Sequence, residues 1–123
     1  MSSLFDQFFN KNKENREPGQ IDYVNEKPEN QDTLKIKATV YGRVQGVGFR
    51  YSTSHLAKEL DVAGVVQNQA DGTVYVEAVG NREAMEQFIL ELAKGPSPSA
   101  DVEKVTIEYD NSIPDYTSFS QDR

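Results

Sequence analysis

The sequence predicts one α+β domain of the ferredoxin-like type, a sandwich in which two helices pack on one face of an antiparallel sheet. Three observations predict this class. Four segments have the apolar patterns of short strands, and two have the 3.6-residue period of amphipathic helices. These six segments follow one another in the order β-α-β-β-α-β. A chain of 123 residues with 37% hydrophobic content also has enough apolar surface for one modest core.

The first strand is predicted over 34–41, where apolar and polar residues alternate. A glycine-rich loop follows over 42–48. Residues 49–60 predict the first helix, because one side of that helix would be largely apolar. The residues of this stripe are Phe49, Thr53, Leu56, Ala57 and Leu60.

A hairpin is predicted in the middle of the chain. Residues 62–66 form a short apolar strand, and Asn68 lies at its far end. Asp71-Gly72 is a typical hairpin turn. The partner strand covers 73–79 and places three apolar side chains on one face, those of Val74, Val76 and Ala78.

The second half of the domain begins at Asn81, whose side chain can cap the helix predicted over 82–93. Gly95 and the prolines that follow it end this helix. A fourth strand is predicted over 102–109, and a short last strand is possible over 115–121. The apolar stripe of the second helix consists of Met85, Phe88, Ile89 and Leu92.

The first 33 residues differ in composition from the rest, which sets the predicted domain at 34–123. Segment 10–33 is rich in polar residues and Pro and has no apolar period, so we predict a disordered arm over 1–33. Residues 3–9 hold an apolar set at helical spacing, Leu4, Phe5, Phe8 and Phe9. That set predicts either a frayed tail or a short docking peptide.

Charge and composition narrow the class of protein. The net charge is −7, of which the arm carries −3 and the domain −4. A general nucleic-acid binder should show a basic face, so we expect no nucleic-acid partner. We expect no secretory signal, and no apolar segment is long enough to span a bilayer. With no cysteine in the chain, a reducing compartment is compatible, and we expect a cytoplasmic protein without membrane contact.

The segment 42–50, which holds the glycine-rich loop and the first two residues of the predicted helix, is the most informative part of the sequence. Its three glycines free the backbone from the usual steric limits. Arg50 stands where the first helix begins, which is unfavourable for a cation unless an anion lies between them. Loop N–H groups, helix end and guanidinium would then bind one phosphate. The alternative is a tight turn that merely requires glycine, and Arg43 reads as a solvated loop residue.

Gly42-Arg43-Val44-Gln45-Gly46-Val47-Gly48-Phe49-Arg50 resembles the first signature of the acylphosphatases, and Gly64 to Val74 is similar to their second. The resemblance covers about 34–120. It implies a hydrolase for carboxylic–phosphoric mixed anhydrides that needs no metal or cofactor and forms no covalent intermediate. It also implies a phosphate-binding loop whose amides come from Gln45, Gly46, Val47, Gly48 and Phe49.

The same resemblance implies two catalytic residues. Arg50 would bind the phosphoryl group, and Asn68 would orient the attacking water. The second signature departs from the family at Val65 and Gln67, which should alter packing and charge near the site. The chain also ends on Ser120 to Arg123 where the family has an apolar or aromatic end, which predicts a less stable last strand.

The chemistry needs few residues. The departing carboxylate has a conjugate acid with a pKa of about 4, so a general acid is dispensable. Asn68 can hold a water but is too weak a base to deprotonate it, so we expect a phosphate oxygen of the substrate to take the proton. The expected partner is a small acyl phosphate, and the expected state is a monomer.

Rival interpretations remain at this point. The domain could be a module that binds an anionic metabolite or a protein without turnover, and the same fold order occurs in RNA-binding modules.

Single residues also have rival interpretations. Asn68 could be an ordinary turn residue. His55 reads as a surface or partly packed side chain with no catalytic relay. Asp71 reads as a turn residue, and three acidic side chains read as a solvated face of the second helix, Glu83, Glu86 and Glu91.

Overall fold

The structure is a computed structural model that describes residues 16–122. The predicted amphipathic turn at 3–9 lies outside the described residues. Within them the chain forms two helices and six strands, and the predicted β-α-β-β-α-β order is confirmed for the core of the domain. In chain order the elements are β1 (Gln20–Tyr23), β2 (Thr33–Arg43), α1 (Phe49–Glu59), β3 (Ala63–Asn68), β4 (Val74–Asn81), α2 (Arg82–Lys94), β5 (Asp101–Tyr109) and β6 (Phe119–Gln121).

The strands form one sheet in the order β1-β5-β2-β4-β3-β6. The four inner strands pair antiparallel, as predicted. Both edge strands pair parallel to their neighbours, β1 with β5 and β6 with β3, so the antiparallel prediction holds for the inner strands and the sheet as a whole is mixed. Each edge strand is joined to the inner sheet through a long connection, and apolar periodicity does not indicate the direction in which such a strand returns.

The core lies between the helices and one face of the sheet. The predicted inward residues of β2 and β4 are almost fully buried, as is the apolar stripe of α2. Phe119 of β6 packs edge-on against Phe88 of α2, with ring centroids 6.2 Å apart. Both helices therefore cover the same face, as the sequence predicted.

One predicted surface residue belongs to this core. Glu83 and Glu86 lie on the exposed side of α2, but Glu91 is only 1% exposed, so the prediction of a solvated acidic face is wrong for Glu91. The reason is helical geometry. Residue 91 lies three positions after Phe88 and shares its face of the helix.

The prediction of a disordered arm is wrong for residues 20–23, which form strand β1 along the edge of β5. The flanking residues are held by hydrogen bonds to the domain. The Arg16 guanidinium donates to the carbonyls of Gly95 and Ser97 at 3.1 and 2.8 Å, and the Arg82 guanidinium donates to the carbonyl of Gln31 at 2.9 Å. A segment held mainly by polar bonds shows no apolar period, which is why the sequence did not indicate it.

Asn25 extends the pairing of β1 with β5 through its side chain. The carboxamide donates to the carbonyl of Tyr109 and accepts from its N–H, both at 2.9 Å. We expect Asn25→Ala to lower the free energy of unfolding by about 1–2 kcal/mol, because two backbone groups beside a buried tyrosine lose their partner. Urea denaturation measures this.

The matched control for this prediction is Gln20→Ala, which removes an exposed side-chain bond to Asp22 on the same strand. It should change stability by less than about 0.5 kcal/mol. Equal stability of wild type and Asn25→Ala would contradict a structural role for this part of the arm.

None of the helices within residues 16–122 combines the length and the apolar character required to cross a membrane.

Candidate active site

The loop between β2 and α1 is built around two glycines with left-handed backbone. Gly46 has φ of 74° and Gly48 has φ of 76°, a region that residues with a side chain adopt only under strain. A Cβ added to either glycine would meet no atom within 4 Å. The loop therefore presents bare backbone to open space.

Several N–H groups of this loop lack a backbone partner. Across residues 16–122, no carbonyl accepts a backbone hydrogen bond from the N–H groups of 45–50. Helix α1 begins after Gly48 with no side-chain cap and no acidic residue in its first turn. The positive end of the helix dipole and its first N–H groups are thus available to an anion.

Helix α2 provides a contrast within the same chain. The side chain of Asn81 accepts a hydrogen bond from the N–H of Ala84 at 2.8 Å, which confirms the predicted cap, and Glu83 lies in the first turn. At the start of α2, side chains of the protein itself therefore bind a free N–H group and complement the positive end of the helix dipole. The difference lies in residue choice, because a capping side chain and a first-turn acid are present at the start of α2 and absent at the start of α1.

The start of α1 opens into a cavity of about 140 Å³. Its volume is many times the ~10–15 Å³ that one water needs, so it can hold a phosphoryl group together with a water. Arg50 and Asn68 both line it, although they come from a helix and a strand. The full lining consists of Val44, Gly46, Gly48, Phe49, Arg50, Tyr51, Asn68 and Gln121.

Arg50 is half-buried in the first turn of α1. Its guanidinium donates to the backbone carbonyl of Asp122 at 2.9 Å, which is its one hydrogen bond to the described part of the chain. The N–H of Asp122 in turn donates to the carbonyl of Val66 at 2.7 Å. The end of the chain thus orients the arginine from one side and leaves most of its five donors for a ligand.

Asn68 is the last residue of β3 and lies opposite Val74, whose side chain is buried under the helices. Because paired residues of antiparallel strands share a face, the Asn68 side chain is on the helix side of the sheet. No side-chain hydrogen bond joins its carboxamide to any protein group that the structure describes. The geometry therefore differs from that of a turn residue bonded to its own backbone.

Two predicted loop residues lie outside the cavity wall, Gln45 and Val47. The Gln45 carboxamide instead donates to the carbonyls of Gln69 and Thr73, both at 2.8 Å. These bonds join the glycine loop to the β3–β4 hairpin. For Gln45 and Val47, the backbone N–H group is therefore a candidate for phosphate binding and the side chain is not.

The departures from the family signature lie on the other face of the sheet. Val65 pairs with Glu77 and Gln67 pairs with Tyr75, so both point away from the helices and the cavity. No direct contact with the cavity supports the expectation that these two residues alter packing and charge near the site.

Sequence reasoning missed the contribution of β6. The strand forms over Phe119–Gln121, shorter than the predicted 115–121. Because Phe119 points into the core, the strand period places Gln121 on the same face, where it lines the cavity. That alternation was the available signal, but the polar composition of the chain end obscured it.

The structure also shows where the other side chains considered in the sequence analysis lie. Arg43 is exposed and does not line the cavity. His55 is half-buried, and its Nε2 lies 2.9 Å from the hydroxyl of Tyr51. Asp71 accepts from the N–H and the hydroxyl of Thr73, bonds that hold its pKa below the usual range and stabilise the hairpin turn. Within residues 16–122, no three His, Cys, Asp or Glu side chains cluster as metal ligands would.

Comparison with known proteins gives a consistent set of similarities. Residues 36–121 match the family model described as Acylphosphatase. The chain is 43% identical over 84 residues to the acylphosphatase of Ligilactobacillus salivarius, covering 68% of this chain and 92% of that protein. It is 49% identical over 73 residues to the acylphosphatase of Thermotoga maritima, covering 59% and 80%. The crystal structure of the Bacillus subtilis acylphosphatase superposes with a TM-score of 0.70 at 34% identity, covering 73% of this chain and 99% of that one.

Proposed function

We propose a mechanism from the premise that this chain belongs to the acylphosphatase family. The reaction is hydrolysis of the carboxyl–phosphate bond of an acyl phosphate, which yields a carboxylate and phosphate. The observation that carries the mechanism is the shared cavity in which Arg50 and Asn68 meet beside the uncapped start of α1.

The phosphoryl group binds at the positive end of this cavity. The N–H groups of residues 45–49 donate to its oxygens, and Arg50 donates two parallel bonds from one side. Hydrogen bonds to charged groups contribute roughly 1.5–3 kcal/mol each. These donors are held in place before the substrate arrives, since Arg50 is bonded to Asp122 and the loop is tied to the hairpin through Gln45. Preorganised donors of this kind stabilise charge in a transition state.

Asn68 positions the water. Its carbonyl oxygen accepts one hydrogen from a water and its NH₂ group donates to the substrate or to the water oxygen. The water oxygen attacks phosphorus in line, the bond from phosphorus to the acyl oxygen breaks, and the carboxylate leaves with the electron pair. A phosphoryl oxygen takes the proton of the water, so no side chain serves as a general base.

No metal ion or cofactor enters this mechanism. The charge that a metal would supply comes from the guanidinium of Arg50 and from the end of α1. The partner is a small acyl phosphate. The charge of −7 opposes binding of nucleic acid, and we propose that the protein acts in the cytoplasm as a monomer.

The experiment that tests this proposal is hydrolysis of benzoyl phosphate by the full chain at pH 7, with and without EDTA. We expect turnover that EDTA does not change. Binding of inorganic phosphate without turnover of any acyl phosphate would favour a binding module instead. Turnover that EDTA abolishes and added metal restores would contradict the metal-free mechanism.

A further inference from the structure

Tyr51 stands next to the proposed catalytic arginine, and the mechanism above does not use it. The residue is 57% exposed, which places it among the large hydrophobic residues that the fold leaves in solvent. The others in the described part of the chain are Tyr23, Val24 and Leu90, and none of these lines the cavity of Arg50 and Asn68. Tyr51 does line it.

The ring of Tyr51 is held in position by the next turn of α1. Its hydroxyl is 2.9 Å from Nε2 of His55, and the two ring centroids are 4.7 Å apart at a tilt of 58°. Residues four apart on a helix are neighbours, so this pair holds the tyrosine ring at low entropic cost. A flat apolar surface is therefore fixed at the edge of the cavity.

The orientation of the substrate in the cavity follows from the proposed function, on which this inference depends. The phosphoryl end binds at the loop and the start of α1, so the acyl end must extend toward the cavity mouth. The other side chains that reach from β3 and β6 into this cavity are the carboxamides of Asn68 and Gln121. Phe49, the other aromatic residue of the lining, is only 2% exposed and belongs to the core, so Tyr51 provides the exposed aromatic surface.

We propose that the ring of Tyr51 is the platform on which the acyl group of the substrate packs. An aromatic or otherwise flat acyl group gains a stacking or edge-on contact there, whereas an acetyl group is too small to cover the ring. The protein thus favours acyl phosphates with flat, apolar acyl groups. Tyr51 acts on specificity and takes no part in the chemical step.

The test compares benzoyl phosphate with acetyl phosphate in wild type, Tyr51→Ala and Tyr51→Phe. In Tyr51→Ala we expect KM for benzoyl phosphate to rise roughly three- to tenfold more than KM for acetyl phosphate, with little difference between the changes in kcat. Tyr51→Phe keeps the ring and should retain the wild-type ratio of the two KM values.

The outcomes separate this inference from the proposed function. Turnover of both substrates by wild type supports the proposed function whatever the variants do. Equal changes of KM for both substrates in Tyr51→Ala overturn the platform alone. A loss of the preference in Tyr51→Phe as large as in Tyr51→Ala also overturns it, because the hydroxyl and not the ring would then determine specificity. Absence of turnover in wild type overturns both proposals.

Discussion

Replacing Arg50 with alanine is expected to lower kcat/KM for an acyl phosphate roughly 10³-fold or more, and to weaken binding of inorganic phosphate. The guanidinium is the one positively charged side chain that lines the described cavity. Removing a preorganised donor to a developing charge costs roughly 10²–10³-fold, and a cation on a transferring phosphoryl group contributes still more. Steady-state kinetics and a phosphate titration by calorimetry measure the two effects.

Two further variants define what Arg50 contributes. Arg50→Lys keeps the charge but loses the planar, two-pronged donor, so it should recover only part of the phosphate affinity and little of the rate. Arg43→Ala removes an exposed arginine at the other end of the same loop and should leave both nearly unchanged. Near-normal turnover in Arg50→Ala would contradict the proposed site.

The Arg50→Ala variant also loses its bond to the carbonyl of Asp122. That bond is a single one at the protein surface, so we expect a loss of about 0.5–1.5 kcal/mol in unfolding free energy. A loss of that size leaves the protein folded and cannot account for a 10³-fold loss of rate. Thermal melting of each variant separates the two causes.

The residues of the proposed site that could be predicted from sequence are those inside the two signatures. The glycines of the loop were expected to free its backbone from the usual steric limits, and Gly46 and Gly48 have the positive φ that this freedom allows. Arg50 and Asn68 could be named from the resemblance, and their position in one cavity agrees with it. Their roles in catalysis are still predictions.

Roles that depend on tertiary contacts could not be predicted, either outside the signatures, as for Gln121, or inside the first one, as for the side chain of Gln45. Gln121 reaches the cavity only because β6 pairs in parallel with β3, and no local pattern indicates that pairing. Gln45 was expected to act through its N–H alone. Its side chain ties the loop to the carbonyls of Gln69 and Thr73, which are far away in the sequence.

The strands and helices also divide into those that the sequence predicted and those that it did not. Strong apolar periods predicted β2, β4 and both helices to within two residues at each end, because burial of one face requires that pattern. Strand β1 was missed because backbone pairing, Arg16 and Asn25 hold it more than apolar burial does. Apolar periodicity indicates burial, so it does not predict a segment that is stabilised by hydrogen bonds at a sheet edge.

Replacing Asn68 with alanine is expected to lower kcat roughly 10²–10³-fold while the affinity for inorganic phosphate changes little. The carboxamide makes no side-chain bond to the described protein and faces the same cavity as Arg50, so its loss removes a partner for water but no partner of the phosphate. Losing the orientation of an attacking water raises the barrier of the chemical step without weakening the ground state. Single-turnover kinetics and the phosphate titration used for Arg50 distinguish these effects.

The control for Asn68 is the neighbouring carboxamide. Gln67 precedes it on β3 but points to the opposite face of the sheet, where it pairs with Tyr75, so Gln67→Ala should keep the wild-type rate. Asn68→Asp keeps the size and the acceptor but places a negative charge beside the phosphoryl group, so it should lose phosphate affinity as well as rate. If Asn68→Ala keeps a near-normal kcat, water attack does not depend on this residue. If it loses phosphate affinity as strongly as Arg50→Ala does, Asn68 binds the phosphoryl group instead.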